Sequence, residues 1–352
     1  MTKIDKHIEI VRTSVKSLSA MSQKSCDGIQ AALSKYYTRV GVTTVDNIAD
    51  LETLAALKPD LVFIGMKFVP INPTLGSNDP NGIWLTTYLD EQGIAYTGSS
   101  RIAHQLELNK PLAKQCVIDA GLNTSQYFEV KQNQPHIENT SVEFPLFVKP
   151  TNRGGGLGID SSSVVYNHSE LKAKIAAIAS NFQSDSLVES YLPGREFSVA
   201  ILKDELSNEF SVMPLELIAP EDGNGVRILS EQVKTNDTES FAEVTDEIIR
   251  LKINRLALDV FHALSARDYG RIDIRMDAHG VPQFLEANLT PSLIKDYGNF
   301  PKACKLNINL DFEPMLLTIV RLALKRAPKA TPKPILLHTP VVPSLETALD
   351  PI

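Results

Sequence analysis

The chain has 352 residues, 43% of them hydrophobic, and a formal net charge of −7. This is enough for two or three domains of roughly 100 to 200 residues with real cores. The acidic balance, with no basic block, excludes nucleic acid or an anionic membrane as the main partner. The cysteines, Cys26, Cys116 and Cys304, are odd in number and widely spaced. They form no metal or disulfide pattern and point to a reducing, cytoplasmic setting. "MTKIDKHIEI" lacks the apolar run of a secretory signal, and no stretch of about 18 apolar residues predicts a membrane span.

In chain order, "IEIVRTSV" predicts a strand and "SCDGIQAALSKYY" a helix. "DLVFIGM" is a short continuous apolar run, as in a buried parallel strand. "KFVPINPTLGSNDPNG" is a long Pro-, Asn- and Gly-rich loop of the kind that often carries function. "NGIWLTTYLDEQG" predicts a helix ending at Gly93, and "IAYTGS" a further strand. This alternation predicts a doubly wound, mostly parallel α/β domain. "NKPLAKQCVIDAG" is a helix with Pro111 in its first turn.

From about residue 124 the texture changes. "FPLFVKP" predicts an apolar strand that delivers Lys149 to the glycine-rich "TNRGGGLGID". "SELKAKIAAIASNF" predicts a helix with Ser169 as N-cap. "SLVESYLPGREFSVAIL" reads as two strands around a Pro-Gly turn. A long amphipathic helix spans 243–266. "RIDIRMD" and "PQFLEAN" form a hairpin, and "LDFEPMLLTIVRLALKRA" is a last helix. The tail 328–352 has six prolines and no periodicity, which predicts an extended or disordered segment.

Three stretches carry chemistry. On the hairpin, alternation places Arg271, Asp273 and Arg275 on one face of the first strand, and Glu286 and Asn288 on one face of the second. A salt-bridged surface is the simple explanation, but two carboxylates and an amide converging on adjacent strands repel unless a cation neutralises them. Oxygen donors alone suit Mg²⁺, and Arg271 adds a planar fork for phosphate or carboxylate oxygens. In the glycine-rich loop, Gly154, Gly155 and Gly156 allow backbone N–H groups to close on an anion beside Lys149. The loop matches neither a Walker A nor a Rossmann pattern. In "LVESYLPGREF", the backbone of 189–192 could read a purine edge and Glu196 could hold ribose hydroxyls.

Taken in order, "FVKP…RGGGLG", "LVESYLPGREFSVAIL" and "GRIDIRMD…PQFLEANLTP" resemble the ATP-grasp fold, and within it the D-alanine–D-alanine ligase family. "DLVF", "GIAYTGSS" and "LNKPLAKQCVIDAGL" resemble that family's N-terminal segments, so the resemblance spans about 4–326. It implies an α/β N-terminal substrate-binding domain (1–105), followed by a two-subdomain ATP-grasp fold with antiparallel sheets. The central subdomain (106–200) would carry the glycine-rich loop, the C-terminal one (201–327) the metal and phosphate site, and 328–352 would be the tail. It further implies that Lys110, Lys149 and Lys234 contact nucleotide phosphates. Glu189 and the backbone around Leu192 would hold adenine, and Glu196 the ribose. Asp273, Glu286 and Asn288 would bind Mg²⁺, and Arg271 would stabilise charge on the reacting carboxyl. Ser292 and Tyr297 would lie near substrate, and 219–240 would form the covering lid. The implied enzyme joins a carboxylate to an amine at the expense of ATP, and the family suggests a homodimer.

The departures concern the first substrate. The family's Gly-Gly and ammonium-binding glutamate are missing from "VRTSVKSLSAMSQKSC", where the glutamate position falls near Leu18, although Ser22 and Ser25 fit. The His-Gly and Gly-Glu-Asp-Gly loop is replaced by "MKFVPINPTLGSNDPNG". Gly155 stands for a serine and Thr235 for a tyrosine. The expectation is an amide-forming ligase with a rewritten first-substrate pocket, in which an ammonium would need a new partner such as Asp79. The alternatives are a cell-wall D-alanine–D-alanine ligase and a non-catalytic nucleotide-binding homologue.

Overall fold

The computed structural model describes residues 2–15, 18, 21–72, 75–76, 79–133, 142–151, 153–154, 156–223 and 225–327. Gly155 and the proline-rich tail lie outside them.

The N-terminal region runs β1 (Ile4–Arg12), α1 (Gln23–Leu33), β2 (Tyr37–Thr44), α2 (Ile48–Ala56), β3 (Leu61–Ile64), β4 (Phe68–Val69), β5 (Ile83–Trp84) and α3 (Leu85–Glu91). β2, β1 and β3 form a parallel sheet in that order. The middle strand β1 and the edge strand β3 are buried on both faces, while β2 is largely exposed or half-buried. Ile8, Ile10, Leu61 and Phe63 enter one apolar cluster, while Val11, Val62 and Ile64 enter another with Leu51, Leu54, Leu85 and Leu89. That two-sided burial is why "LVFI" shows no alternation. The strand expected at 94–99 is reduced to one parallel bridge, Val62 to Tyr96, because the chain turns at Gly98 with φ +74°. Within the helix expected at 81–93, Ile83 and Trp84 instead pair with Phe68 and Val69, so the long loop is partly a small hairpin.

Next come α4 (Arg101–Leu108), α5 (Lys110–Asp119), β6 (Tyr127–Val130), β7 (Leu146–Pro150), β8 (Val164–Val165), α6 (His168–Phe182) and β9 (Ser186–Ser190). Asn109 caps α5 by accepting from Leu112 N–H at 3.0 Å. Asn167, two residues before the expected Ser169, caps α6 and accepts from Glu170 N–H. β6, β9, β7 and β8 form an antiparallel sheet in that order, and Leu171, Ile175 and Ile178 of α6 pack on its Leu146, Val148 and Val188.

The last region holds β10 (Glu196–Lys203), β11 (Phe210–Ile218), α7 (Glu231–Asn236), β12 (Ser240–Glu243), α8 (Glu247–Ala263), β13 (Tyr269–Met276), β14 (Pro282–Asn288), α9 (Asn299–Ile308) and α10 (Phe312–Arg326). The sheet order is β12-β11-β10-β13-β14, all antiparallel. Ile253, Leu256, Val260 and Phe261 of α8 cover one face through Phe197, Val199, Ile272 and Ile274. The other face joins the N-terminal sheet in a shared core: Ala200, Leu202, Met213 and Leu215 pack with Ile8, Phe63 and the apolar faces of α9 and α10.

β9 and β10, adjacent in sequence, belong to different sheets. The chain crosses at Pro193-Gly194, where Gly194 N–H donates to Met276 O at 3.0 Å. A Cβ at Gly194 would sit 2.6 Å from that oxygen, so only glycine allows this approach. The crossing lets side chains of both sheets line a single cleft.

Candidate active site

The register of β13 and β14 sets the first constellation. Arg271 lies opposite Asn288, and Asp273 opposite Glu286. Beyond that pair the register shifts, so that Ile274 faces Phe284 and Leu285 is the extra residue of a bulge. Asp273 is buried and densely bonded. It accepts from Arg271 Nε at 2.9 Å and Nη2 at 3.0 Å, from Asn288 Nδ2 at 2.9 Å, and from Ser198 Oγ of β10 at 3.0 Å. Glu286 Oε2 stands 3.7 Å from Lys110 Nζ. Burial pushes the Glu286 carboxyl up, but Lys110, Lys149, Lys234 and Arg271 outweigh it and hold it below its usual range. Among the described residues no three His, Cys, Asp or Glu side chains gather as a metal set. The donors here are two carboxylates and a carboxamide. All can offer oxygen, which fits a hard divalent cation whose remaining ligands are phosphate oxygens and water.

The second constellation is built on β7, β9 and α5. Glu189 is buried between Lys114 Nζ at 2.6 Å and Lys149 Nζ at 2.7 Å, and it accepts from Ser125 Oγ at 3.1 Å. Burial alone would raise its carboxyl; the two ammoniums reverse this and bring it down to about 2. Burial works to lower Lys149, yet Glu189 and Glu286 carry it above its ordinary value. Lys110 goes the other way. Burial, helped by Lys149, lowers it despite Glu286 and Glu189, and its Nζ donates to Arg153 O. A desolvated ammonium held down by a neighbouring one is stabilised when an anion enters.

Lys110, Ser125, Lys149, Glu189 and Glu286 line one cavity with Phe147, Tyr191, Leu192, Glu196, Ile228, Leu229, Lys234, Arg275 and Leu285. Apolar side chains and the lysines share this lining, and Glu196 also borders it. Burial raises the Glu196 carboxyl, against the pull of Arg275 and Lys234. Gly156 also lines the cavity. It has φ +85°, and a Cβ there would come within 3.1 Å of Glu231 N, so the glycine-rich loop lies against the start of α7. Lys234 is carried by α7, within the stretch expected to form a lid.

Of the residues singled out in the sequence, Lys110, Lys149, Gly156, Glu189, Leu192, Glu196, Lys234 and Glu286 border this cavity, and Arg271, Asp273 and Asn288 adjoin it through the hairpin register. Gly154 belongs to the same loop and accepts from Leu157 N–H at 3.2 Å. Gly155 is outside the described residues. Tyr297 is exposed, and its hydroxyl donates to Lys234 O at 3.3 Å. Ser292 lies just before it, its carbonyl oxygen 2.4 Å from where a Gly298 Cβ would be. Sequence reasoning missed Lys114, although its spacing four residues after Lys110 puts both on one side of α5. It placed Arg275 on the polar strand face but gave it no role.

A third network was not foreseen. Glu107 of α4 accepts from Lys67 Nζ at 2.7 Å and from Leu289 N–H at 2.8 Å, and lies 3.0 Å from His104 Nδ1. Burial would raise its carboxyl, but Lys67 and His104 bring it to about 2. Lys67 belongs to the loop expected to differ from the family, and Leu289 follows Asn288 directly. Asp79, offered as a new ammonium partner, accepts backbone N–H from Asn72 at 2.6 Å and Asn81 at 3.0 Å. Its charge is thus already engaged in closing its own loop.

A family model described as "D-ala D-ala ligase C-terminus" matches residues 117–321, more than half of the chain. The chain belongs to this family. It is an ATP-grasp ligase, of the class that forms carbon–nitrogen bonds. The D-alanine–D-alanine ligase of Hydrogenovibrio crunogenus is 28% identical over 238 residues, 67% of this chain and 72% of that one. The D-alanine–D-alanine ligase of Bacillus anthracis, solved with ATP, has the same fold: TM-score 0.68 at 18% identity, over 91% of this chain and 98% of that chain. VanG D-Ala:D-Ser ligase of Enterococcus faecalis gives TM-score 0.67 at 18% identity, over 91% of this chain and all of its own. The family match covers the two antiparallel sheets and their cavity lining except Lys110. It leaves out β1 to β5 and the 66–82 loop, where the sequence was expected to depart from the family pattern. No helix among the described residues is long and apolar enough to cross a membrane.

Proposed function

We propose that this ligase joins a carboxylic acid to an amine with ATP, through an acylphosphate, and that its acid substrate is not D-alanine. The observation that carries the reading is the single cleft in which Lys110, Lys149 and Lys234 meet Glu286 among apolar side chains. Adenine would lie along the 189–192 backbone, with the ribose on Glu196. Lys110, Lys149 and Lys234 would neutralise the phosphates. Asp273, Glu286 and Asn288 would hold Mg²⁺, which when bound offsets charge on the transferring phosphoryl group. The substrate carboxylate attacks the γ-phosphorus and ADP leaves. Arg271 would steady the acylphosphate oxygens while the amine adds to the carbonyl carbon. The tetrahedral adduct then expels phosphate and the nitrogen loses its proton. The protein contributes position and charge rather than covalent chemistry.

The altered acid pocket is supported by the missing glutamate near Leu18, by Thr235 where a tyrosine is usual, and by the engaged carboxylate of Asp79. A role in specialised metabolism follows from that reading. The name of the Hydrogenovibrio relative favours a second reading, a cell-wall D-alanine–D-alanine ligase. The test is a panel of D- and L-amino acids and hydroxy acids, paired with amines, with released phosphate and ADP as readout. Turnover with some pair is expected. Tight ATP binding with no turnover for any pair would sink the ligase reading in favour of a non-catalytic homologue.

A further inference from the structure

Arg275 lines the nucleotide cavity, yet none of the chemistry above uses it. Its β-sheet partner across β10 and β13 is Glu196, so the two side chains rise from one face. The guanidinium spends its donors on two separate stretches of the chain, 194–196 and Arg227. Nε donates to Gly194 O at 3.2 Å, on the crossing between the sheets. Nη1 donates to Glu196 Oε2 at 3.0 Å. Nη2 donates to Arg227 O at 3.0 Å, in the segment that leads into α7. The guanidinium carbon also lies 5.5 Å from the centroid of the Tyr191 ring, within cation–π range. Its side chain is 10% exposed.

Arg227 belongs to a small self-closed loop. Its own guanidinium donates to Ala219 O and to Glu221 Oε1, both at 2.7 Å. The next two residues, Ile228 and Leu229, form part of the cavity lining. The bond from Arg275 to Arg227 O therefore fixes where those apolar side chains sit. The bond to Glu196 holds a carboxylate that borders the same cavity. One planar fork sets both, which a lysine's single ammonium could not do with the same geometry.

We infer that Arg275 is a positioning residue of the nucleotide site, holding the Glu196 carboxylate for the ribose hydroxyls while docking residues 227–229 over the base. The inference rests on the nucleotide reading of the cavity and adds to it the residue that sets ribose selectivity in this chain. A purely structural staple would affect stability without touching the choice between sugars.

The experiment measures dissociation constants of the full chain for ATP and 2′,3′-dideoxyATP, with Mg²⁺, by calorimetry. The proteins are wild type, Arg275→Met, Arg275→Lys, Glu196→Gln and the Arg275→Met/Glu196→Gln double variant. Wild type is expected to prefer ATP. Arg275→Met should weaken ATP by about tenfold, the worth of a hydrogen bond to a charged group. It should also remove most of the preference over the dideoxy nucleotide, and Arg275→Lys should not restore it. The double variant should discriminate no less than Glu196→Gln alone. Arg275→Lys keeps the charge and carries the test should Arg275→Met fail to fold. Retained sugar preference in folded Arg275→Met or Arg275→Lys would overturn the inference. A wild-type chain that binds neither nucleotide would instead overturn the nucleotide reading itself, a result distinguishable at the first titration.

Discussion

The strand-borne cluster and the N-terminal loops hold their polar groups in different ways. On β7, β9, β13 and β14 each charged side chain is aimed by strand register and held by a buried partner: Glu189 between two lysines, Asp273 between Arg271, Asn288 and Ser198. Among the described residues of 13–25 and 66–82, Ser22 and Asp79 instead close their own turns, on Ser25 N–H and on Asn72 and Asn81, while Thr13 and Ser14 bond Asp46 and Lys67 bonds Glu107. A site fixed by register resists change, because a one-residue slip turns every side chain to the other face. A site built in loops can be rewritten without touching the sheets. Conserving the nucleotide chemistry while changing the acid is therefore the structurally inexpensive direction of change.

This contrast can be broken most severely at the hairpin. Glu286→Gln is expected to lower kcat/KM by about a thousandfold, the several kcal/mol that a lost metal bridge to the phosphoryl group represents, with an unchanged circular dichroism spectrum. Wild-type turnover of the folded variant at limiting Mg²⁺ would remove the metal assignment.

The buried lysine pair gives the next largest effect. Glu189→Gln leaves Lys114 and Lys149 without their shared carboxylate and should cost about 3–5 kcal/mol in urea denaturation. Because Glu189 is held near 2, its contribution is present above the ordinary glutamate range and is lost as the pH falls from about 4.5 toward 2. Glu107 is held equally low and titrates in the same window. The variant should therefore show a shallower acid loss than wild type, not a flat one. Identical acid profiles would show that the lysines do not depress Glu189.

A third test sharpens the contrast from the loop side. A buried ammonium without a partner loses on the order of 3 kcal/mol, about a hundredfold. D-alanine alone should therefore show kcat/KM about a hundredfold below the best acid tested with D-alanine as acceptor. Equal turnover would make this a cell-wall ligase after all. The smallest expected effect is at the junction of the two regions. Lys67→Met should lower kcat about tenfold, through the loss of one charged hydrogen bond on Glu107, and leave ATP affinity unchanged. A matching loss of ATP affinity would place Lys67 with the nucleotide instead.

The parts legible in the sequence were those with a period. Alternation put Arg271 and Asp273 on one face, and Glu286 and Asn288 on another, and the apolar run "LVFI" announced a strand buried on both sides. The Pro-Gly crossing at 193–194 looked like an ordinary turn, because nothing local tells whether the next strand rejoins the same sheet. α9 was not anticipated: Gly298 gives it no side-chain cap, and Pro301 within it obscures the pattern. The Lys67–Glu107–His104 network was invisible because Lys67 and Glu107 are 40 residues apart and meet only through the fold.

Glu107 has a consequence for transplantation. Its carboxylate receives Lys67 from one region and Leu289 N–H from the other, so the 66–82 loop is not a free cassette. Exchanging that loop for one without a matching lysine would leave a buried acid held only by His104 and the Leu289 N–H, beside the backbone that carries Asn288. A chimera that swaps positions 104 and 107 together with the loop should fold and turn over where the loop alone fails. Lineages that altered the acid pocket would be expected to inherit those positions as a linked set.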